Sequence, residues 1–125
     1  MKYKPILEKY LAALQAGSYE GLMELFEPDG VVLSPLYGDV PAREFYRELF
    51  ADTRQSKLTL LNTLESNENG NVCGVHFVFD WTLKDGTLYP FEVVDMFEIS
   101  PAGKFKKMTI IYDTAGVRNT FNNLE

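Results

Sequence analysis

The chain has 125 residues, 46% of them hydrophobic and 14% aromatic, and its 12 Lys and Arg against 18 Asp and Glu give a formal net charge of −6. That length predicts one domain with a substantial core, and the acidic balance argues against nucleic acid and anionic membrane surfaces as partners while leaving a neutral or cationic small ligand unopposed. Met1–Pro5 leads into a helical pattern rather than a cleavable leader, and no apolar run approaches the roughly 18 residues of a membrane span, so a soluble, cytoplasmic protein is expected.

Pro5 suits a first helical turn, and Ile6, Leu7, Tyr10, Leu11 and Leu14 recur at helical spacing until Gly17 ends the pattern. Ser18 is placed to cap a second helix carrying Leu22, Leu25 and Phe26, which Pro28-Asp29-Gly30 is expected to stop. Val31–Leu33 reads as a short strand and Ser34–Gly38 as an irregular turn, because Pro35 cannot continue a central ladder. Pro41 then opens a third helix with Phe45, Tyr46 and Leu49 on its apolar stripe. From Lys57 the period becomes that of strands: Leu58–Ser66, Val72–Leu83, Leu88–Ile99 and Lys104–Asp113, with turns at Asn67–Gly70, Asp85-Gly86 and Ser100–Gly103, and then a polar tail. Helices, a short strand and a four-strand meander predict a single α+β domain over residues 1–125, its helices covering one face of a curved antiparallel sheet with a cone-shaped cavity between them.

The two long runs around Asp85-Gly86 form the strongest hairpin signal in the chain. A two-residue turn there sets Leu83 against Leu88, Val78 against Val93 and His76 against Asp95. By alternation, His76, Val78, Asp80, Phe91, Val93, Asp95 and Phe97 are expected to face the cavity, and Phe77, Phe79, Trp81, Val94 and Met96 the opposite side, where so apolar a patch predicts a homodimer interface. The turn at Ser100–Gly103 pairs Asp95 with Met108 and sends Met108, Ile110 and Tyr112 inward, leaving Asp113 outward with Arg118 as its expected partner.

Asp95 lies in the middle of an apolar strand, where an ionised, unpaired carboxyl is costly, so it must be protonated or partnered. His76 is the partner in this register: either the imidazole acts as acid or base in the cavity, or the two residues only satisfy one another. Tyr10 shares the stripe of Ile6, Leu7 and Leu14 and reads as a core tyrosine with its hydroxyl toward the cavity, ligand contact being equally open. Asp80, nearer the hairpin end, reads as a solvated rim carboxylate rather than a catalytic acid. The glycines sit singly in turns, which supports no phosphate loop, and the spacing of His, Cys and carboxylates supports no metal centre, so neither metal nor cofactor is expected. Cys73, the one cysteine, reads as a small buried hydrophobe.

Several stretches, in this order, resemble the nuclear transport factor 2-like (NTF2-like) superfamily. They are Tyr10–Leu22, a helix-Gly-helix opening; Leu25–Pro35, the entry to the first strand; Ala42-Arg43-Glu44 at the start of the third helix; and Val93–Phe97. Ile111–Ala115 is similar to the closing motif of SnoaL-like sequences. The resemblance covers nearly the whole chain and implies the cone-shaped (cystatin-like) fold, with three N-terminal helices packed on a curved antiparallel β-sheet, shared by ketosteroid isomerases, SnoaL-type polyketide cyclases, scytalone dehydratase and limonene epoxide hydrolase. From ketosteroid isomerase it implies the oxyanion tyrosine at Tyr10 and the oxyanion aspartic acid at Asp95. The general-base position falls on Ser34, whose hydroxyl takes no proton near neutral pH without a base of its own.

The resulting expectation is a homodimer that binds a small apolar, carbonyl-bearing molecule in a cavity lined by Ser34, Val78, Asp80, Phe91, Val93, Met108 and Tyr112. Tyr10 and Asp95 would donate hydrogen bonds to the ligand oxygen, and His76 would shuttle a proton in a cofactor-independent isomerase-, cyclase- or lyase-type step. The alternative is a non-catalytic ligand-binding or assembly module that keeps the cone for packing.

Overall fold

In the computed structural model, which describes residues 2–115, helix α1 spans Lys4–Ala16, buries Leu7, Tyr10 and Leu14 along one stripe, and ends at Gly17 with φ 67°. That left-handed conformation is open to glycine at little cost, which is why the helix stops there. Helix α2 (Tyr19–Met23) starts where Ser18 Oγ accepts the Gly21 N–H at 3.1 Å, but it is only five residues long. Leu25 and Phe26, expected on this helix, lie beyond it, and Phe26 opens strand β1 (Phe26–Ser34). Strand β2 (Gly38–Pro41) and helix α3 (Ala42–Ala51) follow, the helix burying Ala42, Phe45, Tyr46 and Leu49. Strands β3 (Thr53–Glu65), β4 (Val72–Leu83), β5 (Leu88–Ile99) and β6 (Phe105–Ile111) complete the chain order.

The six strands form one sheet in the order β2-β1-β6-β5-β4-β3. Its neighbours are antiparallel except β1 and β6, which are parallel, so the sheet is mixed rather than wholly antiparallel. The reason is topological. After α3 the chain enters β3 in the direction of β2, and three hairpin reversals bring β6 out in the direction of β1. Pro28-Asp29-Gly30 does not stop a helix but sits inside β1, where the six residues from Phe26 to Val31 span only the three from Phe105 to Lys107 of β6. In this bulged stretch Pro28 owes no ladder hydrogen bond, and at Gly30 a Cβ would stand 3.2 Å from the Phe105 carbonyl oxygen.

The β4–β5 hairpin differs from the expected one by a single residue, and the consequence is large. Among the described residues no non-glycine has positive φ, and Gly86 lies at 90°. A two-residue type I′ turn needs positive φ at both central positions, so Asp85-Gly86 cannot form one. The loop takes three residues instead: Gly86 N–H donates to Leu83 O at 2.9 Å and Leu83 N–H to Thr87 O at 2.8 Å. Thr82 then pairs with Leu88, His76 with Val94, and Val75 with Asp95. A one-residue slip exchanges the two faces of the slipped strand relative to its partner. Cys73, Val75, Phe77, Phe79, Trp81 and Leu83 therefore join Phe91, Val93, Asp95 and Phe97 on the inner face, against the helices.

Three expectations are corrected by this register. His76 does not pair with Asp95. Val78 and Asp80 leave the cavity face with it. Phe77, Phe79 and Trp81, at 1%, 6% and 2% exposure, are core residues, so the expected dimer patch keeps only Val94 and Met96 on the outer side. The β5–β6 pairing is also displaced, with Asp95 opposite Ile110 and Met108 opposite Phe97. That slip is an even number of residues, so Met108 and Ile110 keep the inward orientation expected of them. Arg118, the expected partner of Asp113, lies outside the described residues.

Candidate functional site

Asp95 is placed by β5 on the inner face, directly opposite Val75 of β4 and Ile110 of β6, and is 2% exposed. Helix α1 aims Tyr10 at it, because the Leu7–Tyr10–Leu14 stripe lies along the inner face of the sheet. Helix α3 brings Tyr46 to the same point. The Tyr10 hydroxyl lies 3.0 Å from Asp95 Oδ2, to which it donates, and 2.9 Å from the Tyr46 hydroxyl. With Asp95 ionised, proton counting fixes the chain: Tyr46 donates to Tyr10, and Tyr10 to the carboxylate. When Tyr10 instead turns its proton to Tyr46, the Tyr46 hydroxyl can reach Met108 Sδ at 3.4 Å. Behind this chain, Phe97, Phe105 and Met108, all at 0% exposure, fill the closed end of the fold. Phe97 and Phe105 stack at 4.0 Å, and Tyr10 meets both edge-on at 5.0 and 5.9 Å.

The other carboxylate oxygen, Asp95 Oδ1, is buried with no hydrogen-bond partner among the described residues. Burial pushes the Asp95 carboxyl up to about 7, against the opposing pull of the Tyr10 hydrogen bond. The same burial, with the carboxylate charge next in size, holds Tyr10 and Tyr46 well above the ordinary tyrosine range, so both remain protonated donors.

Asp95 borders a pocket between the helices and the sheet. Its walls are Leu14 and Tyr10 of α1, Phe45 and Leu49 of α3, and Phe77, Phe79, Trp81, Phe91, Val93 and Ile110 of the sheet, with Ser34, Leu36, Tyr37 and Tyr112 at one end. The space open to the centre of a water molecule is about 40 Å³, roughly three waters' worth. Trp81 turns its indole N–H away from this space to Thr53 Oγ1 at 2.8 Å. Ser34 Oγ accepts the N–H groups of Leu36 and Tyr37, both at 3.2 Å, and so holds the β1–β2 turn.

Of the residues singled out in the sequence, Tyr10, Ser34, Phe91, Val93, Asp95 and Tyr112 border the pocket. Met108 lies beneath it, at the closed end, as the acceptor beside Tyr46. His76 does not: its ring sits on the outer face, 3.1 Å from Glu92 Oε2 and 3.1 Å from Asn62 Nδ2. Val78 and Asp80 are on that face too, opposite Glu92 and Pro90. The proton shuttle expected of His76 therefore has no route to the pocket. Phe77, Phe79 and Trp81 were missed as wall residues, and Tyr46 and Tyr37 as polar ones. A signal for the first three existed in β4 itself, where the set from Cys73 to Leu83 is apolar at every step while its alternate holds His76, Asp80 and Thr82. Among the described residues no group of three or more His, Cys, Asp or Glu is arranged to hold a metal ion, and no helix is long and apolar enough to cross a membrane.

Comparison with known proteins agrees with this architecture. An NTF2-like protein of unknown function from Burkholderia pseudomallei superposes with a TM-score of 0.79 at 17% identity, covering 94% of this chain and 96% of its own. A hypothetical protein of ketosteroid isomerase-like fold from Catenulispora acidiphila, solved with trimethylamine, gives a TM-score of 0.77 at 16% identity over 91% of this chain and 89% of that one. SalBIII, an epoxide hydrolase/cyclase-like enzyme of pyran ring formation in the polyether salinomycin, gives 0.74 at 18% identity over 90% and 91%. At these identities the likeness is one of fold. A comparison with curated protein sequences found no match. The model of the SnoaL-like domain matches residues 7–108, most of the chain, and the protein, whose fold is that of the NTF2-like proteins, therefore belongs to the SnoaL-like domain family.

Proposed function

We propose that the protein binds a small apolar molecule carrying an oxygen acceptor in this pocket and exchanges a proton with it through Asp95. The bare Oδ1 carries the reading: a buried carboxylate oxygen beside an apolar pocket, without a partner among the described residues, is stabilised when a ligand supplies one. With the carboxyl near 7, protonated and ionised forms coexist at neutral pH, which suits a group that must both give and take a proton. The protonated form donates to a ligand oxygen, and the ionised form lifts a proton from the carbon next to a carbonyl and can return it elsewhere.

Tyr10 acts here as a positioning residue. With Asp95 ionised its proton is given to Oδ2, so it orients the carboxyl rather than contacting the ligand oxygen. No base is needed at Ser34, whose oxygen holds the turn. SalBIII, which shares the fold, is an epoxide hydrolase/cyclase-like enzyme, so the reading places this chain on a fold that enzymes use.

The narrowness of the pocket favours one alternative, a module that binds without turnover. One experiment separates the two. The isomerisation of 3-cyclohexenone to its conjugated isomer moves one proton between two carbons and needs no second reactant. The proposal expects slow turnover by the wild type and none by Asp95→Asn, which keeps a donor at the pocket but exchanges no proton at this pH. Binding of the ketone without turnover by either protein would select the binding module, and equal turnover by both would refute the role of Asp95.

A further inference from the structure

We infer that Tyr37, Asp52 and Lys84 form a latch that holds the mouth of the pocket closed and governs how fast a ligand enters. Exposure along β5 rises from Phe97 (0%) through Asp95 (2%) and Val93 (3%) to the half-buried Phe91, so the pocket opens toward the end where Phe91 and Tyr112 face Tyr37. Three segments distant in sequence meet at that end: the β1–β2 turn, the C-terminus of α3 and the β4–β5 hairpin. Asp52, the residue capping α3, binds both of the others. Its Oδ2 accepts the Tyr37 hydroxyl at 2.8 Å, its Oδ1 lies 3.3 Å from Lys84 Nζ, and its carbonyl accepts the Lys84 N–H at 2.8 Å. The Tyr37 ring meets the pocket residue Phe45 edge-on at 5.3 Å.

The turn is held together from within. Ser34 Oγ fixes it internally, and Gly38 beyond it, at φ 79°, has no neighbour within 4 Å of where a Cβ would stand. With the latch closed, about 40 Å³ is open to the centre of a water molecule, too little for a ring-sized ligand.

The inference takes the pocket as the ligand site but does not depend on chemistry at Asp95, and Trp81 allows it to be tested without a ligand. Trp81 is the one tryptophan, borders the pocket and is 2% exposed, so quenching of its fluorescence by acrylamide reads access through the mouth. Tyr37→Phe is expected to raise the quenching constant about fivefold, a shift of about 1 kcal/mol in the closed–open equilibrium. Lys84→Met, which loosens Asp52 from the hairpin side, should raise it in the same direction, and the double variant should exceed Tyr37→Phe by little, as two cuts in one connection are not additive. Tyr19→Phe severs another cross-element tyrosine bond, to the Arg43 carbonyl at 2.9 Å, and should leave quenching unchanged. A quenching constant unaltered in both Tyr37→Phe and Lys84→Met, or raised equally by Tyr19→Phe, would overturn the latch. Loss of turnover in Asp95→Asn has no bearing on it.

Discussion

Replacing Asp95 by Asn tests the buried carboxyl through stability alone. In the unfolded chain this group titrates at its ordinary value of 3.8, whereas burial moves it to about 7 in the native protein. Below about pH 4 both states hold the proton and the site costs nothing. Between about pH 4 and 7 the native state keeps a proton that the unfolded chain has released, so native stability falls as pH rises. Above about 7 both states are ionised and the full cost remains. A rise from 3.8 to about 7, at about 1.4 kcal/mol per pH unit, amounts to about 4 kcal/mol. Asn does not titrate, so the wild type minus Asp95→Asn difference in unfolding free energy isolates this group from every other. Urea unfolding followed by Trp81 fluorescence at pH 4, 5.5, 7 and 8 should show the wild type losing about 4 kcal/mol relative to the variant across that range, or about 15 °C in Tm for a chain of this size. A difference that stays flat with pH, or one in which the wild type gains as pH rises, would refute the burial argument and with it the availability of a protonated Asp95 near neutrality.

Tyr10→Phe removes the donor on Oδ2. It should raise the Asp95 titration further, since the anion loses a charge-assisted bond, and cost about 1–3 kcal/mol of stability; carboxyl carbon NMR titration and urea unfolding check the two effects. His76→Gln should change stability by less than about 1 kcal/mol and leave the Asp95 titration where it was, because the Glu92 it pairs with is 68% exposed on the outer face; a displaced Asp95 titration in that variant would restore the discarded pairing. Gly74→Ala should cost about 1–3 kcal/mol through overpacking, as its Cβ would meet Met96 Sδ at 2.5 Å and the Asp95 carbonyl at 3.1 Å. Adding Met96→Ala should recover part of that loss, which thermal unfolding of the single and double variants measures.

What the sequence determined by itself is everything that local patterning controls. The helical stripe of Leu7, Tyr10 and Leu14 with Gly17 after it, the bounds of β4 and β5, and the stripe of α3 are all legible, because periods of 3.6 and 2 are written in neighbouring residues. So is the requirement that a carboxyl amid Val93 and Phe97 be neutral or bonded, which depends only on burial. The order of these elements also carried the family resemblance, and with it Tyr10 and Asp95.

Tertiary structure decided how the pieces face one another. Whether Asp85-Gly86 makes a two- or three-residue loop depends on the φ that Asp85 adopts in the folded hairpin, and that one residue moved His76 out of the cavity and brought Phe77, Phe79 and Trp81 in. The apolar alternation of β4 held the correction, since a fully apolar set belongs against the core whatever the turn does. No local pattern, however, could bring β1 beside β6, aim Tyr46 of α3 at Tyr10, or join Tyr37, Asp52 and Lys84. Those contacts link residues far apart in the chain, and they exist because the sheet and the helices must bury one shared apolar face.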